Sequence, residues 1–150
     1  MEIWQLTARE EIRELVARYA HFGDSGRFEE MVALFAEDGV LEIVEREELH
    51  GRQAIHEFLV ATATRFRESS APRSIRHHVT SLRIDVSAPG EATSASYFLV
   101  VGADGPDHWG RYRDRYAHTD GRWLFARRQV RVDGRAPTSV TMRRDEQVKP

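Results

Sequence analysis

Cysteine is absent from the chain, which removes disulfide frameworks, thiolate nucleophiles and cysteine-based zinc or iron–sulfur sites. Lysine is nearly absent too: of 22 basic residues only Lys149, next to Pro150, is not an arginine. That position does not suit a buried, pKa-lowered Schiff-base amine, so imine and pyridoxal-phosphate chemistry are disfavoured. An excess of positive charge is also missing. The 22 bases are scattered among 24 acids for a net charge of −2, without the basic footprint that phosphate-backbone binding needs, and no nucleic-acid partner is expected. No run approaches the roughly 18 apolar residues of a membrane span, and no membrane partner is expected. Met1 to Gln5 has neither a basic region nor an apolar run leading to a cleavage site, so the expectation is a cytoplasmic protein.

Several catalytic signatures are missing as well. There is no Gly-x-Ser-x-Gly elbow, no Walker loop and no Gly-x-Gly-x-x-Gly fingerprint, which leaves no case for a serine hydrolase, a nucleotidase or a dinucleotide enzyme. The seven histidines include no His-Glu-x-x-His spacing, and the adjacent His77 and His78 would point to opposite faces of a strand. A site without metal or cofactor is the expectation.

What is present reads as one globular domain of 150 residues, 41% apolar and 31% charged. Thr7-Ala8-Arg9-Glu10 has the form of a capping box, and Ile12, Leu15, Val16 and Tyr19 then recur at helical spacing up to about Phe22. Gly23-Asp24-Ser25-Gly26 ends that helix. Phe28, Met31, Val32 and Phe35 predict a shorter second helix closed by Asp38-Gly39, and Val40 to Val44 a short strand. After a charged loop from Glu45 to Gly51, the residues Ile55, Phe58, Leu59, Thr62 and Phe66 predict a third helix, followed by a turn at Ser69-Ser70-Ala71-Pro72. From Ile75 the period becomes two. Strands are expected at Ile75 to Val86, Ala92 to Val101, Trp109 to His118 and Arg122 to Val132, with Asp120-Gly121 as the strongest hairpin signal. The order ααβαββββ argues for an α+β fold with helices on one face of a mainly antiparallel sheet. Residues 1–133 form the domain in this reading, and residues 134–150 a polar tail or a late strand on a partner subunit.

Ala17-Arg18-Tyr19 running into Phe22-Gly23-Asp24, then Arg76-His77-His78-Val79-Thr80, then Asp120-Gly121-Arg122-Trp123-Leu124-Phe125-Ala126-Arg127-Arg128, resembles the SnoaL-like branch of the nuclear-transport-factor-2-like superfamily over roughly residues 5–133. The resemblance implies a cone-shaped α+β barrel, with three N-terminal helices and a curved sheet enclosing a pocket. Its enzymes include scytalone dehydratase, bile-acid 7α-dehydratase, hexachlorocyclohexane dehydrochlorinase, ketosteroid isomerase and polyketide cyclases. The lyases are most similar, because they place an aspartate after the first helix and a histidine on the long strand after the third, here Asp24 and His77. By the same resemblance, the tyrosine and the last-strand arginine of the bile-acid enzyme fall on Tyr19 and Arg128. The chain departs from scytalone dehydratase, whose second histidine comes from the following strand, since Ala92 to Val101 contains none.

Read residue by residue, His77 is the candidate base, because an imidazole of pKa about 6.5 moves protons in either direction near neutrality. Period-two parity instead puts His78 with Leu82, Ile84 and Val86, so His78 is its rival for the pocket unless a β-bulge near Thr80 reverses the faces. Asp24 is either a turn cap or the partner that orients the imidazole. Tyr19 is a core tyrosine or a donor. Arg128 shares parity with Leu124, Ala126, Val130 and Val132, and is either a charge lining the pocket or half of a buried pair with Asp114; Asp114 lies with Tyr112 and Tyr116 on one face of the neighbouring strand, and these three are expected to line the substrate pocket. The reading favours a cofactor-independent lyase acting on a small, apolar, cyclic substrate, with cyclisation, isomerisation or a non-catalytic, dioxygenase-small-subunit-like role as alternatives. Trp123, Phe125 and Tyr97, placed by parity on the far face of a four-strand sheet, predict a homodimer or homotrimer.

Overall fold

The computed structural model describes residues 1–68 and 74–139, so the expected turn at residues 69–72 and the last eleven positions of the expected tail lie outside the described residues. Three helices, α1 (Ile3–Asp24), α2 (Phe28–Val32) and α3 (Gly51–Glu68), accompany the strands β1 (Phe35–Ile43), β2 (Glu47–His50), β3 (Arg76–Ala88), β4 (Glu91–Gly102), β5 (Gly105–Thr119) and β6 (Arg122–Arg135). The strands form one six-stranded sheet in the order β2-β1-β6-β5-β4-β3, antiparallel throughout except where β1 runs parallel to β6. The sheet curls around the helices without closing, so the α+β class holds and the barrel is an open one.

The first helix starts a turn earlier than expected. Glu2 and Gln5 make the capping box, with Gln5 Oε1 accepting the Glu2 N–H at 2.9 Å, while the Thr7 hydroxyl is spent inside the helix on the Ile3 backbone carbonyl. Ile12, Leu15, Val16 and Tyr19 then turn inward as their spacing requires.

The sheet is wider than the expected four long strands plus one short one. Phe35 is the first residue of β1 rather than the end of α2, and Glu47–His50, read as loop, pairs antiparallel with β1 as an edge strand. Its charged side chains suit an edge exposed to water and hide the strand from a search for alternation. Arg127 ties that edge down with bonds to Glu42, at 2.6 Å, and to Glu48. Gly39 lies where a Cβ would sit 3.0 Å from the Phe125 carbonyl, which lets β1 cross close to β6.

Two β-bulges decide which side chains face the core. On β3, Thr80 pairs with Tyr97 and Arg83 with Ala95, so that strand carries one extra residue, and Ser81 takes the positive φ of 52°. On β6, Arg127 pairs with Arg115 and Phe125 with Tyr116, leaving Ala126 as the extra residue. The second bulge overturns the parity placed on Phe125: it is fully buried in the main core, where Trp123 is buried too, and of the three aromatics expected on the far face only Tyr97 is exposed. The last strand also runs beyond the expected domain limit, since Gly134 and Arg135 belong to β6. No helix described is long and apolar enough to cross a membrane.

Candidate active site

A pocket of about 230 Å³ opens between the helices and the inner face of the sheet. Its wall is mostly apolar, with Met31 of α2 and Phe58, Leu59 and Phe66 of α3 facing Phe98, Val100 and Val130 of the sheet. Tyr19, Tyr112, His77, Asp107 and His108 supply the polar groups. That volume is below the roughly 300–1,000 Å³ of pockets for drug-sized ligands, so it suits a compact molecule.

The packing of α1 against β3 brings together Asp24 and His77, 53 positions apart in the chain. Asp24 is the last residue of α1 and His77 the second of β3, and one carboxylate holds both the ring and the backbone of the histidine. Asp24 Oδ1 lies 2.6 Å from His77 Nδ1, and Oδ2 accepts the His77 backbone N–H at 2.9 Å. Burial works to raise the Asp24 pKa, but the bonds from the His77 ring and backbone, aided by the His77 and Arg76 charges, outweigh it and hold the carboxyl below its ordinary value. A carboxylate can only accept, so Nδ1 carries a proton, and it is Nε2 that is left to exchange one. The bulge at Ser81 sets this face: His77 is half-buried against the pocket, and His78 is exposed on the outer face. Parity counted back from Leu82, Ile84 and Val86 put His78 in the pocket, and the extra residue is why it is not there.

Arg128, Asp114 and Tyr116 do not line the pocket with Tyr112; they form a sealed layer behind it. Arg128 Nε and Nη2 donate to Asp114 Oδ1 and Oδ2, both at 2.9 Å. Asp114 Oδ2 also accepts the Tyr116 hydroxyl at 3.1 Å, and Ser94 Oγ lies 2.7 Å from that hydroxyl. Rings cover the guanidinium, with Tyr19, Tyr112 and Phe125 centroids 4.2, 4.1 and 4.4 Å from its carbon. The bidentate partner and the aromatic faces compensate the buried charge, while Arg128 Nη1 is left buried without a hydrogen-bond partner. The expected pocket-lining charge is thus the buried pair, and its link to the pocket runs through the two tyrosines stacked on it. Burial raises the pKa of both Tyr19 and Tyr112 despite the nearby Arg128 charge, so both hydroxyls stay protonated near neutrality.

Asp107 and His108 were not singled out in the sequence, because residues up to Asp107 read as a loop and the strand was expected to begin at Trp109. Period-two parity run back from Tyr112 through Gly110 reaches His108, and that signal was available. Among the described residues, no group of three histidine or acidic side chains lies close enough to hold a metal ion.

The SnoaL-like domain family matches residues 4–129. The chain belongs to that family. No curated protein matches it. Among solved structures, a Catenulispora acidiphila protein in complex with S-DNPA is 32% identical, with a TM-score of 0.73 over 85% of this chain and 95% of that one. A protein described as a candidate scytalone dehydratase from Novosphingobium aromaticivorans is 28% identical, with a TM-score of 0.76 over 88% of each chain. The β subunit of a candidate aromatic-ring-hydroxylating dioxygenase from the same organism, at 19% identity and a TM-score of 0.71 over 90% of this chain and 94% of that one, shares the fold.

Proposed function

We propose that this SnoaL-like protein is a cofactor-independent lyase that removes water from a small, largely apolar cyclic hydroxy ketone. The observation that carries the reading is the His77–Asp24 pair at the wall of an apolar pocket, since a histidine oriented by a carboxylate is a stronger base than a free one. His77 Nε2 takes the proton from the carbon next to the carbonyl, and that C–H electron pair becomes the new C=C bond. The C–O bond breaks with its electrons on oxygen, and the His77 imidazolium, stabilised by Asp24, returns its proton to release water. Tyr19 and Tyr112 donate to the carbonyl oxygen as charge develops there, and Arg128 holds both rings in place. Similarity to a candidate scytalone dehydratase adds support to elimination over proton migration.

The test is turnover of a panel of cyclic 3-hydroxy ketones, read as enone absorbance and product mass. Loss of 18 mass units (about one water) supports elimination, whereas conserved mass makes the protein an isomerase or cyclase using the same base. A ligand-binding role without catalysis predicts no turnover on any member. A second copy of the chain, giving a homodimer or homotrimer, belongs on the outer sheet face, where Tyr97 and Trp109 are exposed. Light scattering at micromolar concentration that returns the 17.3 kDa of one chain overturns that assembly.

A further inference from the structure

The pocket holds a second histidine with its own carboxylate. His108 Nδ1 lies 2.7 Å from Asp107 Oδ2, and the two side chains are 15% and 12% exposed. The register places it with respect to His77: His77 pairs with Val100 across β3 and β4, and Val100 pairs with His108 across β4 and β5. The two histidines therefore stand in one row on the inner face, separated by the buried Val100 and by two strand spacings, roughly 10 Å between backbones. Immediately after Val100 the β4–β5 register shifts. Residues beyond β6 fix the carboxylate, since Ser139 Oγ donates to Asp107 Oδ2 at 2.8 Å and the Ala136 N–H to the Asp107 carbonyl at 2.8 Å. Phe98 packs edge-on against the His108 ring, its centroid 5.8 Å away.

With Nδ1 spent on Asp107, the nitrogen His108 has left for the pocket is Nε2, and a neutral ring offers it as an acceptor. Burial lowers the His108 pKa, the Asp107 contact opposes that, and the His77 and Arg135 charges push it further down. At neutral pH the ring is uncharged. We infer that His108 is a specificity-determining residue: held by Asp107, it accepts a hydrogen bond from a hydroxyl on the substrate ring, at a point set apart from the carbon that faces His77. This names the substrate class as a hydroxylated ring, and it rests on the pocket being the substrate site, not on the reaction being an elimination.

Phenol and its methyl ether, anisole, are the probes, because they differ in the hydroxyl hydrogen that Nε2 would accept. Titrated at pH 7.5, the full chain should bind phenol about tenfold more tightly than anisole, the size of one buried hydrogen bond. His108→Phe should bring the two affinities within about twofold, with anisole binding changed by less than about threefold. Asp107→Asn, which no longer fixes the tautomer, should lose part of the preference. An unchanged preference in His108→Phe, no preference in the original protein, or no binding of either ring at millimolar concentration overturns the inference. Should His108→Phe fail to melt cooperatively, ¹⁵N NMR of the imidazoles in the unaltered protein decides: the His108 Nε2 resonance must move with phenol and stay put with anisole, and any other pattern overturns it. Turnover is not read in this titration, so a protein without lyase activity can pass it and an active one can fail it.

Discussion

Two acid–base pairs lie in the same interior, one across β5 and β6 and the other between α1 and β3, and exposure to water separates them. Arg128 and Asp114 are both 0% exposed, bonded through two parallel contacts and shut behind aromatic rings. His77 and Asp24 are 25% and 11% exposed and meet at the wall of the pocket. A charge fixed by a bidentate partner in a dry layer presents no exposed group to a substrate, although Arg128 Nη1 is buried without a hydrogen-bond partner, whereas a partly exposed imidazole with one nitrogen held and the other open does. Residues that a family resemblance groups as one site thus divide into a part sealed behind the rings and a part at the wall of the pocket.

The strongest way to break this comparison is to remove one partner of the sealed pair. Arg128→Met leaves the Asp114 carboxylate buried without its cation and is expected to cost about 3–5 kcal/mol, on the order of 10 °C in Tm. Adding Asp114→Leu should recover most of the loss, because Ser94 and Tyr116 can still bond each other across 2.7 Å. Thermal unfolding of the single and double variants measures both. An unchanged Tm with turnover abolished would return Arg128 to the reacting site.

The pair at the pocket wall should respond in the opposite way. His77→Ala and Asp24→Ala are each expected to lower kcat by about 10²–10⁴ while folding survives, and the double variant should lose little more than the worse single. His78→Ala, on the outer face, should leave kcat within about twofold. If His77→Ala lowers Tm and spares kcat among folded molecules, the two pairs are both structural and the contrast disappears.

How much of this was legible in the sequence depended on local regularity. The helical stripe of Ile12, Leu15, Val16 and Tyr19 and the alternation of β4 carried their faces correctly, because nothing interrupts their periods. The resemblance carried Asp24 to His77, a contact across 53 positions that no local pattern encodes. Parity failed at His78 and Phe125, each time because one extra residue, near Ser81 or at Ala126, reversed the faces beyond it. The edge strand Glu47–His50 was hidden because its charges serve solubility rather than packing. His108 was missed because Gly102, Gly105 and Pro106 make the start of β5 read as a turn.

A smaller effect sharpens the comparison through pH. The Asp24 carboxyl is held below its model-peptide value of 3.8 in the folded state, so its contribution to stability is fully present above that value and is lost as pH falls through the lower, folded one. The stability difference between the original protein and Asp24→Asn should therefore shrink as pH drops below about 4. Urea unfolding between pH 6 and pH 3 (roughly the range in which carboxylates titrate) follows it. A difference that grows toward low pH contradicts the pairing with His77.

The smallest effect concerns the residue that points His77 into the pocket. Ser81 sits at φ 52°, in the left-handed region that costs a residue bearing a Cβ about 1 kcal/mol, and glycine occupies it without that cost. Glycine also has more freedom to lose from the unfolded chain, which offsets part of the gain. Ser81→Gly is expected to change stability by less than about 1 kcal/mol and to leave kcat unaltered, since the bulge and the inward face of His77 persist. Ser81→Val places a β-branched side chain at the same positive φ, where strain is greatest, and should destabilise by about 1–2 kcal/mol. Comparing the two by thermal unfolding isolates the backbone requirement from the loss of the hydroxyl, which both variants share. Equal stabilities would mean that the strand reaches its present register without the left-handed residue, and that the placement of His77 rests on the Asp24 clamp alone.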